Sequence, residues 1–80
     1  MLKLGKYKHY KKRDDGPHYY TVLMEAVREG TKEPMVVYRS EQISSVGDPA
    51  GMVYVRPVDE FTEIVEYLGE QVPRFEYIGE

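Results

Sequence analysis

Gly51-Met52-Val53-Tyr54-Val55-Arg56-Pro57 decides how the fold is read, and Val58-Asp59-Glu60-Phe61 follows it at once. β-Branched and aromatic residues dominate Met52 to Arg56, which predicts a strand. Successive side chains alternate between faces, so Val53 and Val55 share one side and Tyr54 and Arg56 the other. Valines are expected in the interior, which makes this a mid-sheet strand with Tyr54 and Arg56 outward. Pro57 keeps Arg56 extended and removes a ladder donor, so pairing is expected to stop there. Residues 58–61 suit a single helical or 3₁₀ turn that drops Phe61 into the core.

Downstream of this segment, Thr62 to Tyr67 reads as a strand and Leu68-Gly69-Glu70-Gln71 as a turn. Val72 to Ile78 then returns as one strand, with Phe75 and Tyr77 on one face and Pro73 favouring an edge. Upstream, the polar segment Gln42 to Gly51 reads as a surface loop. Met35-Val36-Val37-Tyr38-Arg39 is a strand of high β propensity. It pairs through the turn Glu29 to Pro34 with a longer strand, His18 to Arg28, so residues 18–39 form a hairpin. Tyr20, Val22, Met24 and Ala26 would share one face of that long strand. Its other face is also apolar in part, which suits a central or strongly coiled strand; a helix from Tyr20 to Glu29 is the rival reading. Asp15-Gly16-Pro17 marks a reversal. Lys6 to Lys11 is a short strand or extended arm, and residues 1–6 a frayed lead-in.

The pattern predicts an all-β domain spanning residues 1–80. It would be a small antiparallel barrel or strongly bent sheet of five to six strands, Src-homology-3-like in size, with one helical turn near 58–61.

Composition narrows the function classes. The chain has 80 residues and no cysteine, so no disulfide contributes, and only His9 and His18 remain as soft metal ligands. No apolar run approaches the ~18 residues that span a bilayer, and no signal peptide is present, so a cytoplasmic location is the expectation. Net charge is −3, but residues 1–13 carry six positive and no negative side chains, while residues 14–80 carry five positive and fourteen negative. A general nucleic-acid binder would be basic across its sheet, so nucleic acid is disfavoured as a partner.

Four blocks carry a family resemblance: Tyr7-Lys8-His9-Tyr10-Lys11, Val36-Val37-Tyr38-Arg39, Tyr54-Val55-Arg56-Pro57 with Phe61, and Val72-Pro73-Arg74-Phe75. Together they resemble the bacterial domain-of-unknown-function family 1653, over nearly the whole chain. Two departures stand out. Lys12 to His18 looks like an insertion, and Tyr54 stands where the family usually has Trp. The resemblance implies a compact β-domain in a bacterial cytosol and supplies no mechanism.

Little in the chain points to catalysis. Without cysteine there is no thiol nucleophile. No context activates Ser40, Ser44 or Ser45, and two isolated histidines do not make a triad. No phosphate-binding glycine loop or metal spacing occurs, so no cofactor and no metal are expected. The stronger feature is arginine beside aromatic residues: Tyr38-Arg39, Tyr54-Val55-Arg56 and Arg74-Phe75. A guanidinium can stack on a ring and still present donors to a carboxylate or phosphate. Arg39, Tyr54, Arg56 and Arg74 are therefore the candidate ligand-binding residues of a non-enzymatic ligand- or protein-binding module. The plainer reading pairs these arginines with Glu60, Glu63, Glu66 or Glu76. The alternative function is a nucleic-acid accessory domain using Lys6, Lys8, Lys11, Lys12 and Arg13. Eight tyrosines exceed what so small a core can hold, so a self-association surface, and with it a homodimer, is a further expectation.

Overall fold

A computed structural model describes residues 2–11, 18–42 and 49–80. Its architecture is mainly β, in two antiparallel sheets. The strands are β1 (Gly5–His9), β2 (Tyr19–Val27), β3 (Pro34–Ser40), β4 (Val53–Pro57), β5 (Ile64–Tyr67), β6 (Glu70–Pro73) and β7 (Phe75–Gly79), with a single helical turn, α1 (Val58–Phe61), between β4 and β5. The larger sheet runs β4-β3-β2-β1-β7, and β5-β6 form a separate hairpin. The bent-sheet reading holds. The sheet does not close into a barrel, because β4 and β7 are its two edges.

Among the described residues seven strands replace the expected five to six, for a local reason. Residues 72–78 are not one strand. Pro73 closes β6 against Ile64 of β5, Arg74 breaks the run, and Phe75 begins β7 against His9 of β1. A proline cannot donate to a ladder, so the chain changes sheets where pairing is already interrupted. The turn before β6 is tighter than the four residues expected. Leu68 and Gly69, both at positive φ, make a two-residue reversal.

β1 is neither an arm nor frayed up to residue 6. It starts at Gly5 and is paired on both sides, with β2 and with β7. Ahead of it, Leu2 packs on the core and the Lys3 carbonyl accepts a hydrogen bond from the Tyr7 hydroxyl at 2.7 Å.

β2 and β3 form the expected hairpin, but β2 does not keep one face throughout. Its register to β3 slips between Val22 and Met24, a bulge that leaves Leu23 without an opposite residue. Tyr20 and Val22 therefore face the core, whereas Met24, opposite Val37, is 53% exposed. This accounts for the apolar residues on both faces of the sequence.

The core is aromatic. Tyr7, Val22, Val36, Tyr38, Phe61 and Phe75 are buried, and Leu2, Tyr20, Tyr54, Val58 and Tyr77 pack against them. α1 places Phe61 there, as its sequence predicts, with 1% of its surface exposed. No side chain caps this turn. Pro57 occupies the N-cap, Asp59 and Glu60 lie in the first turn, and the Thr62 hydroxyl donates to the Val58 carbonyl.

β4 is a strand, but an edge strand, and its faces are opposite to those expected. Val53 and Val55 are 53% and 64% exposed, while Tyr54 and Arg56 lie on the core side. The cause is the pairing with β3: Tyr54 stands opposite buried Tyr38 and Arg56 opposite buried Val36. A tyrosine ring and an arginine stem bring more area to an aromatic core than a valine does.

The turn Lys12 to Pro17, with the cationic side chains of Lys12 and Arg13, lies outside the described residues, as do Ser44 and Ser45.

Candidate functional site

The site is built on the last two inward positions of β4. Arg56 rises from the edge strand over the inner face, and three groups fix it. Its Nε donates to the Tyr38 hydroxyl at 3.2 Å, its Nη1 donates to Glu60 Oε1 at 3.3 Å, and its guanidinium carbon lies 5.8 Å from the centre of the Phe75 ring. The backbone places each of these. Tyr38 lies on the neighbouring strand, Glu60 sits one helical turn on from Arg56, and Phe75 reaches under from β7. Arg56 keeps 32% of its side chain exposed, so it is anchored but reachable. Burial works against its charge. The hydrogen bond to Tyr38, with the neighbouring Tyr38, Glu60 and Tyr20, outweighs that and holds the guanidinium above its usual pKa. Its Nη2 donates to no acceptor among the described residues.

Around it the rings form a continuous wall. Tyr54 lies 5.7 Å from Tyr38, Tyr38 lies 5.6 Å from Tyr20, and Tyr20 lies 5.6 Å from Phe75, as centroid distances. His9 meets Phe75 edge-on at 5.0 Å and lies close to Tyr10. A fixed cation among tyrosine hydroxyls and ring faces can hold a carboxylate, a phosphate or a planar group.

Two of the four predicted residues, Tyr54 and Arg56, come together on this face. Arg39 does not join them. It stands opposite Val53, on the outer face, where its Nη2 lies 3.5 Å from Glu41 and Glu41 also accepts from the Thr21 hydroxyl. That hydrogen bond, together with Arg39, holds the Glu41 carboxyl below its usual range. Arg74 sits at the junction of β6 and β7 and is paired with Glu63, leaving its buried Nε without a partner. Ion pairing to Glu60 and Glu63 is as the plainer reading expected; Glu41 was not foreseen as a partner. Nor was the Tyr38 hydroxyl, because only the β3–β4 register discloses it.

Of the basic residues proposed for nucleic acid, Lys6, Lys8 and Lys11 lie within the described residues. Lys8 stands opposite Glu76 with 4.0 Å between the charged groups. It also borders a hollow of about 180 Å³ lined with Tyr10, Tyr67, Val72, Pro73 and Glu76. Among the described residues no helix is long and apolar enough to cross a membrane, and no group of three or more His, Asp or Glu could hold a metal ion.

A family model described as "Protein of unknown function (DUF1653)" matches residues 5–77. A crystal structure of a protein belonging to the same family, from Bordetella bronchiseptica, superposes with a TM-score of 0.73 at 29% identity, covering 98% of this chain and 88% of that one. No curated protein matches the chain significantly.

Proposed function

Because the chain belongs to the DUF1653 family, whose function is unknown, we propose from its geometry that it is a non-enzymatic binding module. Its ligand, a small molecule or a protein segment, carries an anionic group and docks on the inner face beside Tyr54 and Arg56. The observation that carries this is Arg56. Tyr38, Glu60 and the Phe75 ring hold it in one orientation, yet its Nη2 points to no described acceptor. Its ion pair with Glu60 adds little stability, since that carboxylate is largely exposed and such pairs contribute about 0–1 kcal/mol. Arg39 and Arg74 have smaller roles, as outer-face and junction ion pairs. The relative from Bordetella supports a bacterial setting, and a cytoplasmic one belongs to the same reading.

The test is Arg56→Gln, measured for thermal stability and, by native mass spectrometry, for what copurifies with the tagged protein. Loss of the copurifying species from a variant that still folds is the expected result. A variant that unfolds, or that retains every copurifying species, would reduce Arg56 to a structural residue. The nucleic-acid alternative has less support. β1 is an internal strand and Lys8 faces Glu76, so Lys6 and Lys8 belong to the sheet and not to a separate arm.

A further inference from the structure

β4 is an edge strand whose outer side pairs with no other strand among the described residues. The Ser40 N–H donates to the Met52 carbonyl at 2.9 Å, which fixes the phase of the β3–β4 ladder. Alternation then makes Tyr38–Tyr54 and Val36–Arg56 the hydrogen-bonded pairs and turns the N–H and C=O of Val53 and Val55 to the open side. Among the described residues no strand pairs there. The open run is bounded by Gly51, whose N–H goes back to Ser40, and by Pro57, which has no N–H to offer. Edges are ordinarily blunted by charged side chains, by proline or by a covering segment, and here Pro57 closes one end while Val53 to Val55 carry no charge. The only charge on β4 is Arg56.

The two faces beside this edge differ. Outward, Val53, Val55 and Met24 are exposed and Met35 and Val37 half-buried, and a hollow of about 430 Å³ lies among Ala26, Val27, Arg28, Met35, Val55 and Pro57. Inward stands Arg56, whose Nη2 donates to no acceptor among the described residues. We infer that the β4 edge takes an extended peptide segment of another protein, added as a sixth strand, with aliphatic side chains over the outer hollow and a carboxylate side chain against Arg56. This rests on the reading of Arg56 given above and names the ligand class. In the new pairing, Tyr54 and Arg56 occupy non-hydrogen-bonded positions, where opposing Cα atoms approach to about 4.5 Å and side chains are closest. Main-chain bonds at Val53 and Val55 supply affinity, and the alternating faces supply selectivity. A second copy fits less well. Two copies meeting about Tyr54 would set Met52 opposite Arg56 and bring no carboxylate to it. So short an edge also falls well below the roughly 1,200 Å² a stable dimer buries.

The test uses the full chain and a fluorescein-labelled heptapeptide of alternating valine and glutamate, read by anisotropy. Its valine–glutamine counterpart and a backbone N-methylated version serve as controls. Arg56→Gln and the glutamine peptide are each expected to weaken binding about tenfold or more. The N-methylated peptide is expected to fail, and so is Val55→Pro, which removes an open N–H and no sheet bond. The N-methylated peptide decides the matter if Val55→Pro does not fold. Equal binding of the N-methylated peptide, with Arg56→Gln still impaired, overturns the added strand and leaves the inner-face reading intact. Loss with Val55→Pro but not with Arg56→Gln overturns the acidic specificity and that reading together. No binding of the parent peptide overturns the added strand alone. So does a dimer in sedimentation that Val55→Pro dissociates, since the edge then belongs to a second copy.

Discussion

The rings of Phe61 and Phe75 lie parallel, 4.2 Å between centroids and 4° between planes. Phe61 comes from α1 and Phe75 from the first position of β7, so one contact joins the helical turn to an edge strand of the sheet. Tyr7 and Tyr38 then meet Phe61 at 5.3 Å each. Removing Phe61 would leave a cavity at the centre of this group. Phe61→Ala is expected to cost about 3–5 kcal/mol, comparable to the whole stability of so small a domain. Urea unfolding should find that variant largely unfolded, with Phe61→Leu still folded.

The reversed faces of β4 make a second prediction. Val55→Thr should shift stability by no more than about 0.5 kcal/mol, as an exposed position does, while Tyr54→Ala should cost at least about 1 kcal/mol. Matched chemical denaturation of the two variants checks it. The opposite order would return the valines to the interior.

That reversal also marks where the sequence ceases to be informative. Strand positions were legible, because runs such as Met35 to Arg39 and Met52 to Arg56 are β-branched and aromatic between turn residues. So was Phe61, the aromatic residue at the end of a turn whose middle positions, Asp59 and Glu60, are acidic. Facing was not. On β4 both alternating sets are partly apolar, and only the partner strand decides between them. Val22 and Met24 show the same limit, since a bulge at Leu23 flips the face without any glycine to announce it. Of the candidate site, Tyr54 and Arg56 were found from their neighbourhood on one strand. That Arg39 points away and Tyr38 points in depends on register, a property of two strands together.

A third prediction concerns what holds Arg56. Tyr38→Phe removes the acceptor of its Nε and should cost about 1 kcal/mol. Glu60→Gln removes an exposed partner and should cost less, about 0–1 kcal/mol. Both variants should keep the fold by near-ultraviolet circular dichroism. A larger loss from Glu60→Gln than from Tyr38→Phe would mean that the ion pair, not the tyrosine, fixes the guanidinium.

Alkaline pH supplies a fourth. Burial, with Tyr77 adjacent, raises the Tyr7 hydroxyl above its ordinary 10.0. The folded state therefore holds that proton more tightly than the unfolded chain. Stability from this group is full below pH 10 and is lost as pH rises through the raised value. Tyr7→Phe should lose about 1 kcal/mol at neutral pH with its hydrogen bond, and show a shallower decline above pH 10. Thermal melts across that range test it, and parallel declines would remove Tyr7 as the cause.

Gly5 gives the fifth. Its φ is +126°, and a Cβ there would come within 2.6 Å of the Gly79 carbonyl oxygen, a backbone atom that cannot swing aside. Gly5→Ala should cost more than about 1 kcal/mol. Amide exchange should locate the damage in β1 and β7, and protection unchanged there would place the strain elsewhere.

The position of β1 between β2 and β7 has a consequence for how the protein is made. Residues 5–9 emerge early from the ribosome but cannot complete their hydrogen bonding until residues 75–79 arrive. In the interval the β2–β3–β4 meander can assemble from neighbours alone, with the aromatic side of β1 still waiting for its cover. Closure over Tyr7 should therefore follow only after translation has passed Gly79.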